Sequence, residues 1–451
     1  MNGIIIDAFA GGGGASVGIE MALGRSVDIA INHDEQAILM HKTNHPNTLH
    51  LTEDIFTVDL QKYVSGRHVS LMWASPDCTS HSKAKGGQPR NHGLRILPWA
   101  VFKHAKTILP DVVIMENVEE IQQWGPLDKN GKPIRERMGE DYRRFITAMK
   151  SLGYAFDCRE LIAADYGAPT TRKRWYAIFR RDGRDISWPE QTHFKSGKPK
   201  WLECGDYIDW SDLGASIFDR KKPLAEATQK RIANGIRKYI VENPNPYIVK
   251  DGRAIAFMIQ YHGEQKDGES RGQTLREPIK TIDTSNRYGL VTAFVTKFYK
   301  SGTGQGCDEP IHTITTSPGH FGLVSAFLVK YYGTGCGQKL SKPLATITTK
   351  DRFGLVTVLI KGEKYAISDI FLRMLKPEEL KVMQGFPKDY IIDRDYRWRK
   401  YPVCEQVKRI GNSVVPVMAK VLVEANCGYL KVGERQPFPV MYMDGQQMAF
   451  A

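Results

Sequence analysis

The chain opens with a strand, a run of four glycines and a helix, and this start constrains the fold more than any other segment. Residues 3–9 are mostly apolar, Gly11 to Gly14 follow, and apolar residues recur at helical spacing over 17–23. Strand, glycine-rich turn and helix in this order bring the backbone close to a cofactor in α/β folds. We therefore expect an α/β domain with a cofactor at this turn, the alternative being a tight structural turn.

The spacing of these glycines distinguishes between cofactors. The dinucleotide pattern G-x-G-x-x-G has no match here, because Phe9, Ser16 and Val17 occupy positions that the pattern reserves for glycine. A cofactor without phosphates, such as S-adenosylmethionine, needs close approach of the backbone but not that spacing. We expect it to contact Phe9, Ala10, Gly11, Gly13 and Gly14.

Polar residues further along offer contacts to the rest of such a cofactor. A strand over 27–31 ends on Asn32, His33 and Asp34, about twenty residues beyond the glycines, where an acid commonly meets a ribose. Either Asn32 or Asp34 could hold the ribose. Asp54, followed by Ile55, is placed to meet an adenine amino group. Each of these polar residues could instead cap a helix.

Two later strands each deliver a reactive side chain at their carboxyl end. The apolar run 69–73 leads to Cys78 in a loop of Pro, Ser, Lys and Gly, and the run 111–115 leads to Glu116. In open parallel sheets ligands bind outside these strand ends, so the two residues can share one pocket. Cys78 is the candidate nucleophile, although a buried structural thiol is the commoner role for a cysteine.

Charge and cysteine usage narrow the class of protein. The net charge of +13, from 63 Lys and Arg against 50 Asp and Glu, favours a polyanionic partner. The seven cysteines are scattered without a Cys-x-x-Cys pair, so we expect neither a zinc site nor a disulfide framework. The sequence lacks a signal-peptide pattern and an apolar run of membrane-spanning length, which predicts a cytoplasmic protein without a membrane partner. Phosphate or base contacts are expected from Ser80, Ser82, Lys83, Lys85 and Arg90.

Six segments in order resemble the motifs of the DNA cytosine carbon-5 methyltransferases. Residues 7–14 resemble the cofactor motif, Pro76-Asp77-Cys78 the Pro-Cys motif, Glu116-Asn117-Val118 the Glu-Asn-Val motif, 167–174 the Gln-x-Arg-x-Arg motif, and 375–387 and 411–416 the last two. Together they cover about 1–185 and 365–425. The resemblance implies a Rossmann-like, S-adenosylmethionine-dependent methyltransferase domain, in which Pro76, Asn412, Ser413 and Val414 also line the cofactor site.

The resemblance also implies roles for the reactive residues. The Cys78 thiolate would add to carbon 6 of a flipped-out cytosine, and Glu116 would hold a proton against ring nitrogen 3. Arg174 would bind the exocyclic carbonyl of the base, and Arg172 would position Glu116 or the backbone. The chain departs from the family at three positions: Asp77 stands between Pro76 and Cys78, Thr170 replaces a glutamine, and Asn32 replaces the ribose-binding glutamate.

The segment between the two motif-bearing regions contains an internal repeat. Glu-Pro-Ile or Lys-Pro-Leu segments recur with prolines at 278, 310 and 343, and Gly-Leu-Val recurs with glycines at 289, 322 and 354. This period of 32 or 33 residues predicts repeated β-hairpins, with runs such as 294–299 as the second strand. We expect a catalytic domain over 1–185, a mainly β target-recognition domain over 186–365 and a return to the catalytic domain over 366–451. The alternative is a purely structural spacer.

The predicted function is sequence-specific methylation of carbon 5 of cytosine in double-stranded DNA, by a monomer and without a metal. A cognate restriction endonuclease would be a separate chain. Two alternatives stay open: an RNA cytosine methyltransferase, and a catalytically silent DNA-binding protein of the same fold.

Overall fold

The structure is a computed structural model that describes residues 3–77, 96–249, 254–261, 271–297 and 363–432, with short strands at 327–330, 338–339, 353–355, 357–360, 440–443 and 446–449. Cys78 and the predicted DNA contacts Ser80, Ser82, Lys83, Lys85 and Arg90 lie outside the described residues. The described chain forms two compact units. Unit 1 combines 1–202, 278–285 and 377–451, and unit 2 combines 203–277 and 286–376. The domain limits at 185 and 365 stay a prediction.

The helices and strands are as follows in chain order. The strands are β1 Ile4–Asp7, β2 Ile29–Ile31, β3 Leu49–Leu51, β4 Val69–Ala74, β5 Val112–Asn117, β6 Ala155–Ile162, β7 Lys173–Arg180, β8 Ala215–Ser216, β9 Tyr247–Ile248, β10 Ala254–Gln260, β11 Gly272–Thr274, β12 Tyr288–Lys297, β13 Phe327–Lys330, β14 Gln338–Lys339, β15 Phe353–Leu355, β16 Thr357–Ile360, β17 Glu363–Met374, β18 Val440–Met443 and β19 Gln446–Ala449. The α-helices are α1 Gly14–Leu23, α2 Glu35–Asn44, α3 Leu60–Val64, α4 Leu97–Ile108, α5 Glu140–Ser151, α6 Glu226–Ile236, α7 Pro377–Met383, α8 Val403–Asn412 and α9 Pro416–Cys427.

Unit 1 is built on a mixed sheet in the order β3-β2-β1-β4-β5-β7-β6. The first five strands of this order are parallel, and β7 runs antiparallel to both of its neighbours. The chain moves outward from β1 to β3 and then returns to the other side of β1 with β4, so the strand order reverses between β1 and β4. Such a reversal opens a crevice at the carboxyl ends of the strands, which is where ligands bind in α/β sheets. The predicted Rossmann-like architecture is confirmed.

Helix α1 packs against α9 through glycines. An added Cβ at Gly18 would lie 2.2 Å from the carbonyl oxygen of Pro416, and one at Gly14 would lie 2.2 Å from that of Val414. Any side chain at either position would therefore separate the helices. Behind this contact, Ile19 and Leu422 are completely buried in the core.

The stretch Val403–Leu430 is long and apolar enough to cross a membrane by length and composition alone. It comprises α8 and α9, and 61% of its apolar window is buried inside the protein. A core helix of this kind passes the same test, so the stretch is weak evidence for a membrane span.

Unit 2 contains an antiparallel sheet in the order β11-β10-β12-β17-β16, with β8 beside β17 and β9 beside β10. Its core is formed by apolar residues from the central strands and from α6, including Ile232, Ile255, Phe257, Val291 and Leu372. Gly235 on α6 permits close packing on the sheet, since an added Cβ would lie 2.1 Å from the Phe257 ring.

The hairpin prediction is wrong for the first repeat. Gly289-Leu290-Val291 and the run beginning at Phe294 were expected on two strands, but both lie on the single strand β12. Only Thr292 and Ala293 separate the two runs, and neither residue favours a turn. Strand β12 pairs instead with β10 and β17, which flank the repeats in sequence. Most of the second and third copies lies outside the described residues.

Candidate active site

The predicted site residues follow the carboxyl ends of adjacent parallel strands. Asp54 and Ile55 come after β3, Asn32 to Asp34 after β2, Phe9 to Gly14 after β1, and Pro76 after β4, while Glu116 lies near the end of β5. Since β3, β2, β1, β4 and β5 are parallel neighbours, these residues lie along one edge of the sheet. The structure thus brings together side chains that are more than one hundred positions apart in sequence.

Asn117 fixes the segment that leads to the candidate nucleophile. Its side-chain amide donates to the carbonyl oxygen of Pro76 at 3.0 Å, and its Oδ1 accepts from the amide of Val118 at 2.9 Å. Asn117 is 1% exposed, so both bonds are shielded from water. The sequence showed Asn117 within a motif but gave it no role. The hydrogen bond identifies it as the anchor of the chain two residues before Cys78.

The carboxylate of Glu116 lies against the guanidinium of Arg174. Arg174 Nε is 3.2 Å from Glu116 Oε1, and the two side chains are 13% and 10% exposed. The pairing of β5 with β7 sets this contact, since Glu116 lies opposite Tyr176, two residues from Arg174. Arg174 was expected to bind the base. That role stays a prediction. In this structure the guanidinium forms an ion pair with the carboxylate of Glu116.

Arg172 is held by backbone carbonyls. Its Nη1 donates to the carbonyl oxygens of Gly411 at 3.0 Å and Ile282 at 3.4 Å, and the residue is 6% exposed. Arg172 was expected to position either Glu116 or the backbone. Its described contacts are with backbone carbonyls, which fits the second of these roles. Thr170, which replaces the family glutamine, is completely buried and forms a parallel bridge with Ile279. The segment 278–285 thereby joins unit 1 at this point.

The glycine turn is closed on one side and open on the other. Gly13 has a φ of 94° and its amide donates to Ala10 at 2.9 Å, which folds the chain back into α1. An added Cβ at Gly12 would lie 3.2 Å from Ser413 Oγ, so the predicted segment 412–414 packs directly on the turn. Gly11 has a φ of 50°, and the nearest described atom to its added Cβ is 3.8 Å away. Among the described residues, only the carbonyl oxygen of Phe9 lies within 4 Å of this position, so this side is open.

The two ribose candidates are engaged with protein groups. Asn32 Oδ1 accepts from the amide of Asp34 at 2.9 Å. Asp34 caps α2 by accepting from the amides of Gln36 and Ala37, and it pairs with Arg409 at 2.6 Å. Burial acts to raise the pKa of Asp34, but the hydrogen bond and charge of Arg409 outweigh it and lower that pKa.

Arg409 was missed by sequence reasoning. It lies on α8, 375 residues from Asp34, and no local pattern links the two. The one sequence signal for Arg409 is its position two residues before Gly411, the first residue of the motif 411–416.

Three further predicted cofactor residues differ in exposure. His33 and Asp54 are exposed, and Asp54 accepts from the amide of Phe56 at 2.7 Å, while Ile55 is buried.

Asp7, at the end of β1, is a buried carboxyl beneath the turn. Its Oδ2 accepts from Ser16 Oγ at 2.8 Å, which ties β1 to the first turn of α1. Burial raises the pKa of Asp7 to about 6, although the Ser16 hydroxyl and His45 act to lower it. An ordinary aspartate titrates near 3.8. The folded protein therefore keeps this proton over a pH range in which the unfolded chain has lost it.

This raised pKa gives a stability prediction. Between about pH 4 and pH 6 the contribution of Asp7 to stability should fall by about 3 kcal/mol as pH rises, and then level off. Asp7→Asn should remove that decline, as measured by urea unfolding at pH 4.5 and pH 7. Asp34→Asn is the matched control: the pKa of Asp34 is lowered from 3.8, so its own contribution titrates below the range measured, and this variant should keep the wild-type decline between pH 4.5 and pH 7. Parallel pH curves for the wild type and Asp7→Asn would contradict the assignment.

Fold and site together define a Rossmann-like α/β domain with a glycine turn after β1 and a buried glutamate at the end of β5. The C-5 cytosine-specific DNA methylase family matches residues 4–426. The chain therefore belongs to this family, as the six motifs predicted. S-adenosylmethionine is the methyl donor of the family, which confirms the predicted cofactor.

Several known proteins are similar to the chain. Type II methyltransferase M.AquIA of Picosynechococcus sp. is 28% identical over 206 residues, covering 44% of this chain and 80% of that protein. M1.HphI of Haemophilus parahaemolyticus is 30% identical over 42% of this chain and 48% of its own length, and M.AgeI of Thalassovita gelatinovora is 30% identical over 47% of each. The chain thus spans about half the length of the latter two. The solved structure of the Entamoeba histolytica methyltransferase EhMeth is 14% identical, with a TM-score of 0.47, and the match covers 95% of this chain and 98% of that one.

The residues present fit S-adenosylmethionine. The open side of Gly11 leaves space at the carboxyl end of β1 where a ligand can approach the backbone. The turn lacks the dinucleotide glycine pattern, and the nearby Arg409 is paired with Asp34 rather than presented to a phosphate.

Proposed function

We propose that this chain transfers a methyl group to carbon 5 of a cytosine in double-stranded DNA, with Cys78 as the nucleophile. The single observation that carries the proposal is the Glu116–Arg174 pair at the end of β5. That pair lies beside the end of β4, the strand that leads through Pro76 to Cys78. Covalent addition to a pyrimidine uses a thiolate nucleophile together with a carboxyl that can supply a proton, and Glu116 lies near the described segment that leads to Cys78.

The protein residues would act on the base in sequence. The Cys78 thiolate forms a bond to carbon 6, and electrons move into the ring toward nitrogen 3, where Glu116 supplies a proton. Carbon 5 is then nucleophilic enough to take the methyl group. A base such as water takes the proton from carbon 5, and the electrons of that bond expel the thiolate. Nitrogen 3 returns its proton to Glu116, and the aromatic ring is restored. S-adenosylmethionine, when bound, supplies the electrophilic methyl group.

Arg174 would contribute in two ways to this reaction. Its Nε lies 3.2 Å from Glu116 Oε1, so its charge would help to orient Glu116. The rest of its guanidinium would donate to the exocyclic carbonyl of the base, where negative charge develops as the thiolate adds. Arg172, bound to two backbone carbonyls, would keep the strand that carries Arg174 in position.

The cofactor would lie along the same edge of the sheet. The residues proposed to hold it are the turn at Phe9, Ala10, Gly11, Gly13 and Gly14, the residues Asn32, His33, Asp34, Asp54, Ile55 and Pro76, and the segment Asn412, Ser413 and Val414. The packing of Ser413 and Val414 on the turn supports this assignment. Asp34 accepts from two α2 amides and pairs with Arg409, whereas the described contact of the Asn32 side chain is one hydrogen bond to its Oδ1, so Asn32 is the better candidate for the ribose.

The DNA substrate must present its cytosine outside the duplex. A base inside the stack cannot be reached, and flipping it out costs a few kcal/mol. The net charge of +13 supports attraction to the phosphate backbone. Ser80, Ser82, Lys83, Lys85 and Arg90, which follow the nucleophile in sequence, are proposed to contact the DNA, and the segment 186–365 is proposed to select the target site.

The wider setting is also part of the proposal. The names of the relatives place those proteins among Type II methyltransferases, which supports a restriction-modification role with a cognate endonuclease on a separate chain. We propose a cytoplasmic monomer. Apart from Leu375 and Lys376, the six motif segments all belong to unit 1, which supports a site completed within one copy of the chain.

Transfer of radiolabelled methyl groups tests the proposal. Purified protein is incubated with labelled S-adenosylmethionine and either unmethylated genomic DNA or total RNA. Label in DNA and not in RNA is expected, with all of it recovered as 5-methylcytosine after hydrolysis. Label in RNA alone would replace DNA with RNA as the substrate. If the protein binds DNA in a salt-dependent way but transfers no label to genomic DNA, which contains many different sequences, it would instead be a catalytically silent DNA-binding protein.

A further inference from the structure

Tyr390 reaches the cofactor turn from the other end of the chain. Its hydroxyl donates to the carbonyl oxygen of Gly12 at 2.6 Å, across 378 positions of sequence. The residue is 6% exposed, so water does not compete for this bond. The bond fixes the orientation of the peptide in the middle of the glycine run.

The same hydroxyl explains why position 13 is glycine. An added Cβ at Gly13 would lie 2.1 Å from the Tyr390 oxygen, closer than atoms can approach. Gly13 also has a φ of 94°, which a residue with a side chain rarely adopts. The Tyr390 hydroxyl therefore occupies the space in which a side chain at position 13 would lie.

Tyr390 is itself held by hydrogen bonds to the backbone and by packing of its ring. The Nζ atom of Lys381, which is 2% exposed, donates to the Tyr390 carbonyl oxygen at 2.8 Å. Asn44, at the end of α2, forms two hydrogen bonds of 2.8 Å with the backbone of Ile391. The ring packs on Phe386, with ring centroids 4.8 Å apart. Because these contacts hold the backbone and the ring of Tyr390, its hydroxyl in turn fixes the position of the Gly12 carbonyl.

The hydroxyl also has a polar environment that keeps it a donor. His45 Nε2 lies 3.5 Å from the Tyr390 oxygen, and His45 Nδ1 lies 3.1 Å from Glu20 Oε2. Burial, with the nearby charges of Glu20 and Asp7, keeps the pKa of Tyr390 well above its ordinary range. The phenol therefore keeps its proton at any pH at which the enzyme would work.

We infer that Tyr390 is a positioning residue for S-adenosylmethionine: its hydroxyl preorganises the turn at Gly11–Gly14 in the conformation that the cofactor binds. This inference rests on the proposed function and adds a residue outside the predicted cofactor site. A ligand that binds a turn already held in place loses less affinity to ordering than one that must order the turn itself. Loss of the hydroxyl should therefore weaken the cofactor and leave the ring packing intact.

Tyr390→Phe tests this inference, with Tyr154→Phe as a matched control. Tyr154 is 3% exposed and donates to the carbonyl oxygen of Pro110 at 2.7 Å, so it makes the same kind of bond in the same unit. Pro110 precedes β5, at the amino end of the sheet, whereas the cofactor turn follows the carboxyl end of β1. The two substitutions remove equivalent bonds at opposite edges of the sheet.

Titration calorimetry with S-adenosylmethionine and with S-adenosylhomocysteine measures the outcome, alongside thermal unfolding of the unliganded proteins. We expect both variants to lose similar stability, and Tyr390→Phe alone to raise the Kd for both ligands by about 3- to 10-fold. The KM for S-adenosylmethionine should rise by the same factor as the Kd, and the KM for DNA should not.

Three outcomes would overturn the inference. A Kd for Tyr390→Phe within twofold of the wild type would show that the hydroxyl does not position the turn. An equal rise in Kd for Tyr390→Phe and Tyr154→Phe would trace the loss to general destabilisation. Failure of the wild type to bind either ligand would remove the proposed function and this inference together, whereas the first two outcomes leave the proposed function intact.

Discussion

Replacement of Cys78 by alanine should abolish methyl transfer to DNA. Without a thiolate to add to carbon 6, carbon 5 of cytosine is too weak a nucleophile to take the methyl group. Loss of a covalent nucleophile typically lowers turnover by about four orders of magnitude or more. Incorporation of radiolabelled methyl groups into DNA measures this directly, and the variant should retain DNA and S-adenosylmethionine binding.

Cys158→Ala is the matched control for Cys78→Ala. Cys158 is a half-buried thiol on β6, 3.7 Å from the hydroxyl of Tyr142, and has no part in the proposed reaction. It should keep the wild-type rate to within about twofold, as surface-proximal substitutions usually do. DNA containing 5-fluorocytosine adds a second readout, because fluorine on carbon 5 prevents release of the enzyme. A covalent complex should form with the wild type and with Cys158→Ala, and its formation with Cys78→Ala would place the nucleophile elsewhere.

Glu116→Gln should lower the rate of methyl transfer by about 10²- to 10⁴-fold. Glutamine preserves the shape of the side chain and can still meet Arg174, but it cannot transfer a proton to ring nitrogen 3. The loss should appear in kcat measured with saturating DNA and S-adenosylmethionine, while the Kd for S-adenosylmethionine stays at the wild-type value. Single-turnover kinetics would separate the chemical step from product release.

Glu119→Gln supplies the control for this second prediction. Glu119 lies three residues further along, is 40% exposed and pairs with Lys173 at 2.9 Å. It undergoes the same chemical change at the edge of the same site, and an exposed pair of this kind contributes at most about 1 kcal/mol. A rate for Glu116→Gln within fivefold of the wild type, or a larger loss for Glu119→Gln, would contradict the role of Glu116.

The sequence predicted the parts of the site that depend on local pattern. The turn at Gly11–Gly14 could be recognised because strand, glycines and helix are contiguous. The grouping of Glu116 with the segment leading to Cys78 followed from the rule that parallel strands end at one edge. These features require only neighbouring residues and the sense of the sheet.

Contacts between distant segments could not be predicted in this way. Arg409 pairs with Asp34, and Tyr390 donates to Gly12, each across more than 370 residues. The local sequence around Arg409 or Tyr390 does not indicate which distant residue it contacts. The hairpin prediction failed for a related reason. Periodicity showed where extended runs lie, but strand partners are chosen by packing, and β12 pairs with β10 and β17 rather than with its own repeat.

The contact between α1 and α9 has a consequence for synthesis. Ser413, Val414 and Pro416, which pack on the glycine turn and on α1, are synthesised about four hundred residues after the turn. Until then the turn and the first helix lack the surface that shapes them. A chain that is still being translated therefore cannot give the turn its final shape until residue 416 has been made.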